Sequence, residues 1–372
     1  MKPLRLAVIG AGRLGGFHAQ KAAAREDVAL VAVADPVAAN RQRVAAECGC
    51  RAVADFRELM GDIDAAVVAA PTFLHHQIGL ELLAGGIHVL MEKPLAPTGQ
   101  EARDLVDAAA ANRAVLQVGH VERFNPAFTG SIAHLRDAKY IEAVRASGFT
   151  FRSTDVGVVL DLMIHDIDLV LSLVRSPVRR VDAIGFSVIG GHEDVANARV
   201  EFENGSVASL NASRVSYDPA RRMSVWTSQA YSSIDFASRE TSVTRPSETL
   251  QQRQFDVDSL TPTEIDHYCE HLFETHLPRK TLQSEPIDAL AAELNDFVES
   301  LRMPRQPRVT GEHGAQAVEL AERVLAEIES HAWDDRADGP VGPHAVQRPN
   351  VIPGPHWHMA PSKTPVERKE AG

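Results

Sequence analysis

The stretch VIGAGRLGGFHA, residues 8–19, sets Gly10, Gly12 and Gly15 in the spacing G-x-G-x-x-G. The spacing alone is weak support for a binding site, since glycines cluster in many loops. Here an apolar strand candidate precedes the glycines, a helical pattern follows them, and the next strand candidate ends in Asp35. In this context the stretch predicts a strand, a tight turn and a helix that together bind a dinucleotide.

The residues of this turn suit the phosphates and the ribose of such a ligand. Gly10 permits the tight turn, and Gly12 lets the backbone approach a pyrophosphate. Arg13 and Leu14 begin the helix, whose first N–H groups lack partners within the helix and attract an anion. Asp35 offers a carboxylate to both ribose hydroxyls of an adenosine and would repel a 2′-phosphate, and no arginine directly follows it. The motif therefore favours NAD over NADP.

Short apolar runs and helical patterns alternate through the first third of the chain. The runs are rich in Val, Ile, Leu and Ala, which is typical of strands buried on both faces of a parallel sheet. Thr98, with Glu101 three residues on, predicts the start of one helix. Strand candidates lie at 4–10, 29–35, 64–70, 88–93 and 114–120, and helix candidates along the whole chain include 73–85, 98–112, 284–302 and 312–330. Residues 1–121 are therefore predicted to form an α/β Rossmann domain with a doubly wound parallel sheet.

The pattern changes after this first domain. A long helical pattern covers about 157–175, and strand candidates separated by turns follow it, with a hairpin predicted at ENGS, residues 203–206. We therefore predict that residues 122–331 form an α+β domain with a largely antiparallel open sheet, whose last helices pack back on the first domain. Residues 332–372 carry frequent prolines and no apolar periodicity, which predicts a disordered, dispensable tail.

Composition and charge narrow the class of protein. The 372 residues allow two domains, and 44% hydrophobic with 24% charged residues is ordinary for a globular chain. The net charge of -12 disfavours nucleic acid and anionic membranes as partners, and no apolar run approaches the roughly 20 residues of a membrane span. The chain runs straight into a strand candidate, which predicts no signal peptide, and its three cysteines are expected to be reduced. We expect a cytoplasmic protein.

The stretch HVLMEKPLA, residues 88–96, ends a strand candidate in Glu92, Lys93 and Pro94. Open parallel sheets bind ligands outside the carboxyl ends of their strands, so Lys93 lies where a dinucleotide and its reaction partner would meet. A lone lysine at a strand end is most often only solvated. The following proline restricts Lys93 to extended geometry, which favours a functional position without proving chemistry.

The stretch DLMIHDIDL, residues 161–169, sets Asp161, His165 and Asp168 into an otherwise apolar helix. On a regular α-helix the steps of four and three place all three on one strip. The strip is either the exposed edge of a core helix or an acid–base group facing a cleft. A histidine is the natural base near neutral pH, and a nearby lysine would stabilise a developing alkoxide.

Taken together, these segments resemble the Gfo/Idh/MocA oxidoreductases. The resemblance rests on GAGRLG, the Glu-Lys-Pro strand end, VGHVERFNPAF, DVGVVLDLMIHDID and PRVTGEHGAQAVELAERV, and it covers about residues 4–330. Members of this family are NAD(P)-dependent sugar and cyclitol dehydrogenases. The resemblance therefore implies NAD as cofactor, a sugar or nucleotide-sugar substrate, and a homodimer or homotetramer formed through the sheet of the second domain.

The resemblance also implies roles for single residues. Lys93 matches the catalytic lysine of the family, Asp161 its acidic residue and His165 its proton-transferring histidine. These three are expected to contact the substrate, together with Asn125 and Arg152. Beyond the glycine turn and Asp35, the residues implied to contact the cofactor are Pro71, Thr72, His75, Glu92, Lys93 and Arg123.

Within the family, the segments GHVERFNPA and FRSTDVGVVLDLMIHDID are most similar to members that oxidise the 3-hydroxyl of UDP-N-acetylglucosamine. That similarity implies oxidation of a sugar hydroxyl to a ketone, in nucleotide-sugar synthesis of the lipopolysaccharide type. Two alternatives stay open: a dehydrogenase of a free sugar or inositol, and a non-catalytic NAD-binding protein. Lys93 and His165 together favour the enzyme, since a sensor has no need of both.

Three histidine-rich stretches raise the question of a metal site. His267 and His271 lie four apart on a predicted helix, without a third ligand nearby in the sequence. The pair at 75–76 fits the loop after the fourth strand, and the PHWH at 355–358 falls in the proline-rich tail. No metal is expected.

Overall fold

A computed structural model of the chain describes residues 2–151, 155–189 and 191–331. Its first sheet has six parallel strands in the order β3-β2-β1-β4-β5-β6. The strands are β1 (Leu4–Ile9), β2 (Val28–Ala34), β3 (Arg51–Val53), β4 (Ala65–Val68), β5 (His88–Glu92) and β6 (Leu116–Gly119). This order confirms the predicted doubly wound sheet, and it places the point where the strand order reverses between β1 and β4; ligands bind at such a point in open α/β sheets.

Four helices connect these strands. They are α1 (Arg13–Ala23), α2 (Ala38–Cys48), α3 (His75–Ala84) and α4 (Gly99–Ala111). The hydroxyl of Thr98 accepts the Glu101 backbone N–H at 3.2 Å, which confirms the predicted start of α4. The sequence analysis did not find β3, because its three residues pair with β2 alone at the edge of the sheet.

The second sheet has eight strands in the order β14-β13-β12-β11-β7-β10-β9-β8. The strands are β7 (Ala138–Ala146), β8 (Val178–Phe186), β9 (Val195–Phe202), β10 (Val207–Ser213), β11 (Ala220–Thr227), β12 (Tyr231–Asp235), β13 (Glu240–Thr244) and β14 (Arg279–Leu282). Only β7 and β10 pair in parallel, so the expected largely antiparallel sheet is confirmed. The predicted hairpin joins β9 to β10, with Gly205 in the left-handed region at φ 83°.

The remaining helices flank this sheet or return to the first one. They are α5 (Pro126–Ser131), α6 (Ile164–Val174), α7 (Glu248–Gln251), α8 (Pro262–His276), α9 (Ala289–Arg302) and α10 (Gly311–Ser330). A π-helical turn, Val159–Met163, precedes α6, so the helical pattern expected at 157–175 is two different helices in succession. Within the described residues, no helix has both the length and the apolar character to cross a membrane.

The last two helices hold the sheets together. Leu294, Phe297 and Val298 of α9 are buried in the same apolar cluster as the inner strands of the first sheet. The second helix, α10, packs against α4, α6 and β8. Apolar side chains of α9 thus share a cluster with the first sheet, and α10 contacts elements that flank both sheets. The tail predicted at 332–372 lies outside the described residues.

Candidate active site

The three glycines of the turn after β1 differ in what surrounds the position of a Cβ atom. Gly10 has φ 94°, and a Cβ there would lie 2.5 Å from the carbonyl oxygen of Ala69. A Cβ on Gly15 would overlap the carbonyl oxygen of Gly10. A Cβ on Gly12, in contrast, would meet nothing within 4 Å. Gly10 and Gly15 are therefore required by the fold, whereas Gly12 borders open space at the N-terminus of α1, where a pyrophosphate fits.

The carboxylate of Asp35 forms hydrogen bonds with the backbone of the glycine turn and of its own loop. It accepts the backbone N–H of Ala11 at 2.7 Å and that of Val37 at 2.8 Å, and the residue is 1% exposed. Asp35 thus ties the glycine turn to the end of β2, a contribution that the sequence analysis missed. Each oxygen keeps capacity for a further hydrogen bond, which is what a ribose hydroxyl would use.

Two arginines of α2 also reach this edge of the sheet. Arg41 donates to the carbonyl of Asp35 at 3.1 Å, and Arg43 donates to the carbonyl of Ala11 at 3.4 Å. The sequence analysis considered only the residue next to Asp35 and so overlooked them. Because residues two apart do not share a helix face, no helical spacing pointed to both of them.

The loop after β4 holds three of the residues expected to contact the cofactor. Pro71 and Thr72 open a 3₁₀ turn at the carboxyl end of β4. His75 lies beneath that turn, 1% exposed, with its ring nitrogens 2.8 Å from the Pro94 carbonyl and 2.9 Å from the Ala70 carbonyl. Burial lowers the pKa of His75, so the ring is neutral. His75 therefore shapes the loop from below and does not form its surface.

Lys93 and Asp161 are brought together from the two sheets. The Lys93 ammonium donates to the carbonyl of Asp161 at 2.7 Å and to its carboxylate at 3.1 Å. Lys93 follows β5, and Asp161 sits in the π turn before α6. The two side chains are 17% and 20% exposed, so the pair lies at an opening and not in a sealed core.

His165 lies one turn further along, in the first turn of α6. Its Nδ1 is buried and has no hydrogen-bond partner among the described residues. Burial, together with the nearby cations Lys93 and Arg145, lowers the pKa of His165 well below its usual range. Its ring meets that of His120 edge-on, with 6.3 Å between centroids. The imidazole is therefore neutral at neutral pH and free to accept a proton.

Asp168 does not share the surroundings of Asp161 and His165. It is 3% exposed, and its Oδ2 lies 3.4 Å from Nε of Arg123. The predicted strip is not regular, because the π turn before α6 places one more residue in its turn and shifts Asp161 relative to His165 and Asp168, which lie three apart on the regular helix α6. The solvent-exposed edge is wrong for Asp168 as well. Arg123 thus faces Asp168 as an ion pair without a hydrogen bond between Nε and Oδ2.

Of the two further expected substrate contacts, the structure describes Asn125 alone. Asn125 caps α5: its side-chain oxygen accepts the Ala127 N–H at 3.1 Å, and its amide donates to Glu122 at 2.9 Å and to the Phe236 carbonyl at 3.2 Å. At 7% exposure it supports the wall behind the cleft. Arg152, the other expected contact, lies outside the described residues.

Glu92 points away from the cleft, into a buried cluster that the sequence analysis missed. Its carboxylate lies 2.6 Å from Nε2 of His18, and Glu293 of α9 is adjacent. His18 and Glu293 are completely buried, and neither carboxylate oxygen of Glu293 has a partner among the described residues. Burial, with the charges of Glu92 and Asp296, raises the pKa of Glu293 well above its usual range, so this carboxyl is neutral. No sequence pattern links residues so far apart.

The histidines considered as metal ligands lie on α8. The rings of His267 and His271 are 4.9 Å apart between centroids, and His271 faces Glu270 and Glu274 on the exposed side of this helix. The arrangement is that of a polar helix surface.

Comparison with protein families gives two matches along the chain. Residues 4–120 match the model described as the oxidoreductase family with an NAD-binding Rossmann fold. Residues 101–231 match the GFO/IDH/MocA C-terminal domain. The two models meet near β6, where the first sheet ends.

Whole-chain relatives extend these matches. A UDP-N-acetylglucosamine 3-dehydrogenase from Acidithiobacillus ferrooxidans is 34% identical over 333 residues, which cover 88% of this chain and 98% of the relative. A solved structure of UDP-N-acetylglucosamine 3-dehydrogenase from that organism superposes with a TM-score of 0.77 at 33% identity, covering 89% of this chain and 99% of the other. A scyllo-inositol 2-dehydrogenase (NAD+) from Bacillus subtilis is 28% identical, covering 57% of this chain and 68% of the relative. The chain therefore belongs to the Gfo/Idh/MocA family of oxidoreductases, whose first domain binds NAD.

Proposed function

We propose that this protein oxidises the 3-hydroxyl of UDP-N-acetylglucosamine to a ketone with NAD as the acceptor. The observation that carries the chemistry is the contact of Lys93 with Asp161 beside a neutral His165. The substrate assignment is supported by a relative of that name, 34% identical along 98% of its length. The product would belong to nucleotide-sugar synthesis of the lipopolysaccharide type, in the cytoplasm.

The cofactor would be held at the switch point of the first sheet. The open space beside Gly12 suits its pyrophosphate, the free lone pairs of Asp35 suit the adenosine ribose, and Pro71 with Thr72 borders the nicotinamide end. When bound, NAD supplies a hydride acceptor for the carbon that carries the hydroxyl. Every proton-handling step falls to side chains of the chain itself.

His165 and Lys93 divide the work at the substrate oxygen. The neutral His165 accepts the hydroxyl proton, because its low pKa leaves the imidazole unprotonated at neutral pH. Lys93 carries three N–H donors and uses two on Asp161, which leaves one to stabilise the developing alkoxide. Asp161 orients Lys93 and is expected to bind a sugar hydroxyl.

The proposal is tested by the formation of NADH from purified protein with UDP-N-acetylglucosamine, followed by identification of the oxidised position in the product. A ketone at the 3-position is expected. Oxidation of myo-inositol or scyllo-inositol instead would establish the second candidate, which the Bacillus subtilis relative favours. If NAD binds but no alcohol in the panel is oxidised, the non-catalytic alternative holds.

We also propose that the protein is a homodimer or homotetramer formed through its second sheet. The supporting observation is a row of half-buried aromatic rings across three strands, Tyr140, Trp226 and Tyr231, with centroids 5.0 and 4.7 Å apart. Such rings are enriched at protein interfaces. Light scattering of wild type and of Trp226→Glu tests the assignment: the variant should be monomeric, and an unchanged mass would place the interface elsewhere.

A further inference from the structure

A cavity of about 990 Å³ opens on the side of the molecule where α4, α5, α6 and α10 meet. Arg123 and Asp168 lie on its wall, and none of Gly12, Lys93 or His165 does. The cavity is therefore separate from the candidate active site. The nearest link between them is His120, whose pKa responds to Asp168 and Arg123 on one side and to Lys93 on the other.

The wall of this cavity is strongly positive, although the whole chain carries -12 charges. Five arginines and two acids line it: Arg103, Arg123, Arg175, Arg308, Arg323, Asp168 and Glu319. Burial and the charge of Arg123 lower the pKa of His313, which also lines the cavity, so the imbalance comes from the guanidinium groups. A local surplus of positive charge on an otherwise acidic protein attracts anions to this cavity.

Two of the five arginines face carboxylates, one with hydrogen bonds and one without. Arg103 holds Glu319 at 2.5 and 2.9 Å and Glu312 at 2.6 Å. Arg123 faces Asp168, but the 3.4 Å contact lacks hydrogen-bond geometry, so Nε of Arg123 and Oδ2 of Asp168 stay without partners among the described residues. Because the Arg123 side chain is only 10% exposed, an N–H donor without a partner at this depth costs free energy until a ligand satisfies it.

The other three arginines have no carboxylate partner within the described part of the chain. Each is held by a single bond to a backbone carbonyl and keeps its remaining N–H groups for a ligand. The bonds run from Arg175 to Ser172 (3.3 Å), from Arg308 to Arg123 (3.1 Å) and from Arg323 to Val178 (3.2 Å). Arg308 also stacks over the Phe124 ring at 4.8 Å, which further restrains it. Guanidinium groups held in this way match phosphate oxygens in pairs.

We propose that this cavity is a second ligand site, which binds a small molecule carrying a diphosphate group. Three guanidinium groups without carboxylate partners among the described residues carry three positive charges. A diphosphate carries two to three negative charges and balances them, whereas a ligand with a single carboxylate would leave most of the positive charge uncompensated. The volume of about 990 Å³ exceeds what a diphosphate fills, so the rest of a metabolite fits beside the apolar wall formed by Phe128, Ile132 and Leu171. A ligand bonded to Arg123 would alter its pairing with Asp168, next to His120.

The probe for this site is inorganic pyrophosphate, titrated by calorimetry into the full chain saturated with NAD. Saturation is needed because the glycine turn would itself attract pyrophosphate. One site per chain is expected, with affinity that falls as salt rises. The double variant Arg308→Gln, Arg323→Gln should bind about a hundredfold more weakly, since each of the two lost charge-assisted bonds is worth roughly tenfold. The single variant Arg175→Gln should show a smaller loss in the same direction.

The matched control is Arg199→Gln, an exposed arginine on β9, far from the cavity, that pairs with Glu201. It should bind pyrophosphate as wild type does. Melting temperatures show whether each variant is folded. The Arg175→Gln variant should fold as wild type does, because Arg175 is exposed and its side chain bonds only one carbonyl. Absence of saturable binding to the NAD-loaded wild type would overturn the proposal, as would an equal loss in Arg199→Gln and the double variant.

Discussion

Lys93 and Asp161 form an ion pair at the opening between the two sheets. The Lys93 ammonium contacts both the backbone carbonyl and the side-chain carboxylate of Asp161. The double contact is possible because the π turn lets the Asp161 backbone face the end of β5. The pair orients Lys93 toward the space beside His165. Lys93 and Asp161 are thus held in place by a contact between a residue after the first sheet's β5 and a residue before α6.

We expect His165→Gln and Lys93→Met each to lower kcat by roughly 10²- to 10⁴-fold, the usual range for a general base or a charged stabiliser of the transition state. NAD affinity should be nearly unchanged, because the glycine turn and Asp35 hold the other end of the cofactor. Initial rates of NADH formation and NAD titrations measure the two effects. Asp168→Asn is the control: it weakens the buried pair with Arg123, so it should lower the melting temperature far more than kcat. Full turnover in His165→Gln would contradict the assignment.

The pH dependence of activity follows from the lowered pKa of His165. A base works only when unprotonated, so kcat/KM should stay high as the pH falls through 6.5, about the ordinary histidine value, and should drop only at lower pH. Removing the Lys93 charge should raise this pKa. Titration of the His165 ring by NMR in Lys93→Met, with exposed His267 as the internal reference, measures the shift. A midpoint equal to wild type would show that Lys93 does not act on the imidazole.

Gly12→Ala and Gly15→Ala should separate binding from folding. The alanine methyl at position 12 enters open space, so the melting temperature should hold while NAD affinity falls. At position 15 the methyl overlaps the Gly10 carbonyl, so the protein should lose stability by several degrees or fail to fold. Thermal melts with and without NAD report both quantities. If Gly12→Ala binds NAD as tightly as wild type, the pyrophosphate does not pass beside this residue.

Asp35→Ala should cost on the order of 1.5–3 kcal/mol of NAD binding through lost hydrogen bonds to the ribose, and should relax discrimination against NADP. The structure adds a second effect, since the N–H groups of Ala11 and Val37 lose their acceptor and stability falls too. Calorimetry with both cofactors, alongside Glu26→Ala as an exposed control, distinguishes them. A wild type that prefers NADP would refute the assignment of Asp35.

Glu293→Gln should stabilise the protein, and increasingly so as the pH rises. The folded-state pKa of Glu293 is raised, so unfolding releases a proton at neutral pH and the wild type loses stability as pH climbs from the unfolded pKa toward the folded one. A neutral amide removes that loss, a gain of about 1.4 kcal/mol per pH unit over this window. Denaturant melts between pH 5 and about 8 measure the difference. The exposed Glu285→Gln should show no such trend, and a flat difference for Glu293→Gln would mean that its carboxyl is already ionised.

The sequence was sufficient for features that repeat locally. Strands buried on both faces have uniform apolar runs, and the first sheet followed from them, as the start of α4 followed from Thr98. The pairing of Lys93 with the helix at Asp161 came from a family resemblance and was not visible in any spacing.

What escaped prediction depends on three-dimensional contacts. The π turn at Val159–Met163 has no distinct composition, so regular helical spacing was assumed across it and the position of Asp161 relative to α6 was not predicted. The cluster of His18 with Glu293 joins residues at opposite ends of the chain. Buried ionisable groups of this kind are set by tertiary neighbours, and no local pattern encodes them.

The packing of α9 on the first sheet has a consequence for biosynthesis. Leu294, Phe297 and Val298 complete an apolar cluster whose other members are made near the start of the chain. A ribosome releases the first sheet long before α9 emerges, so this apolar surface stays uncovered while the second sheet is made. The first sheet ends near residue 121, but its apolar surface is covered only by residues made much later. A fragment ending there would expose an apolar patch that can bind chaperones or other nascent chains. The apolar surface of the domain that is synthesised first is therefore among the last to be buried.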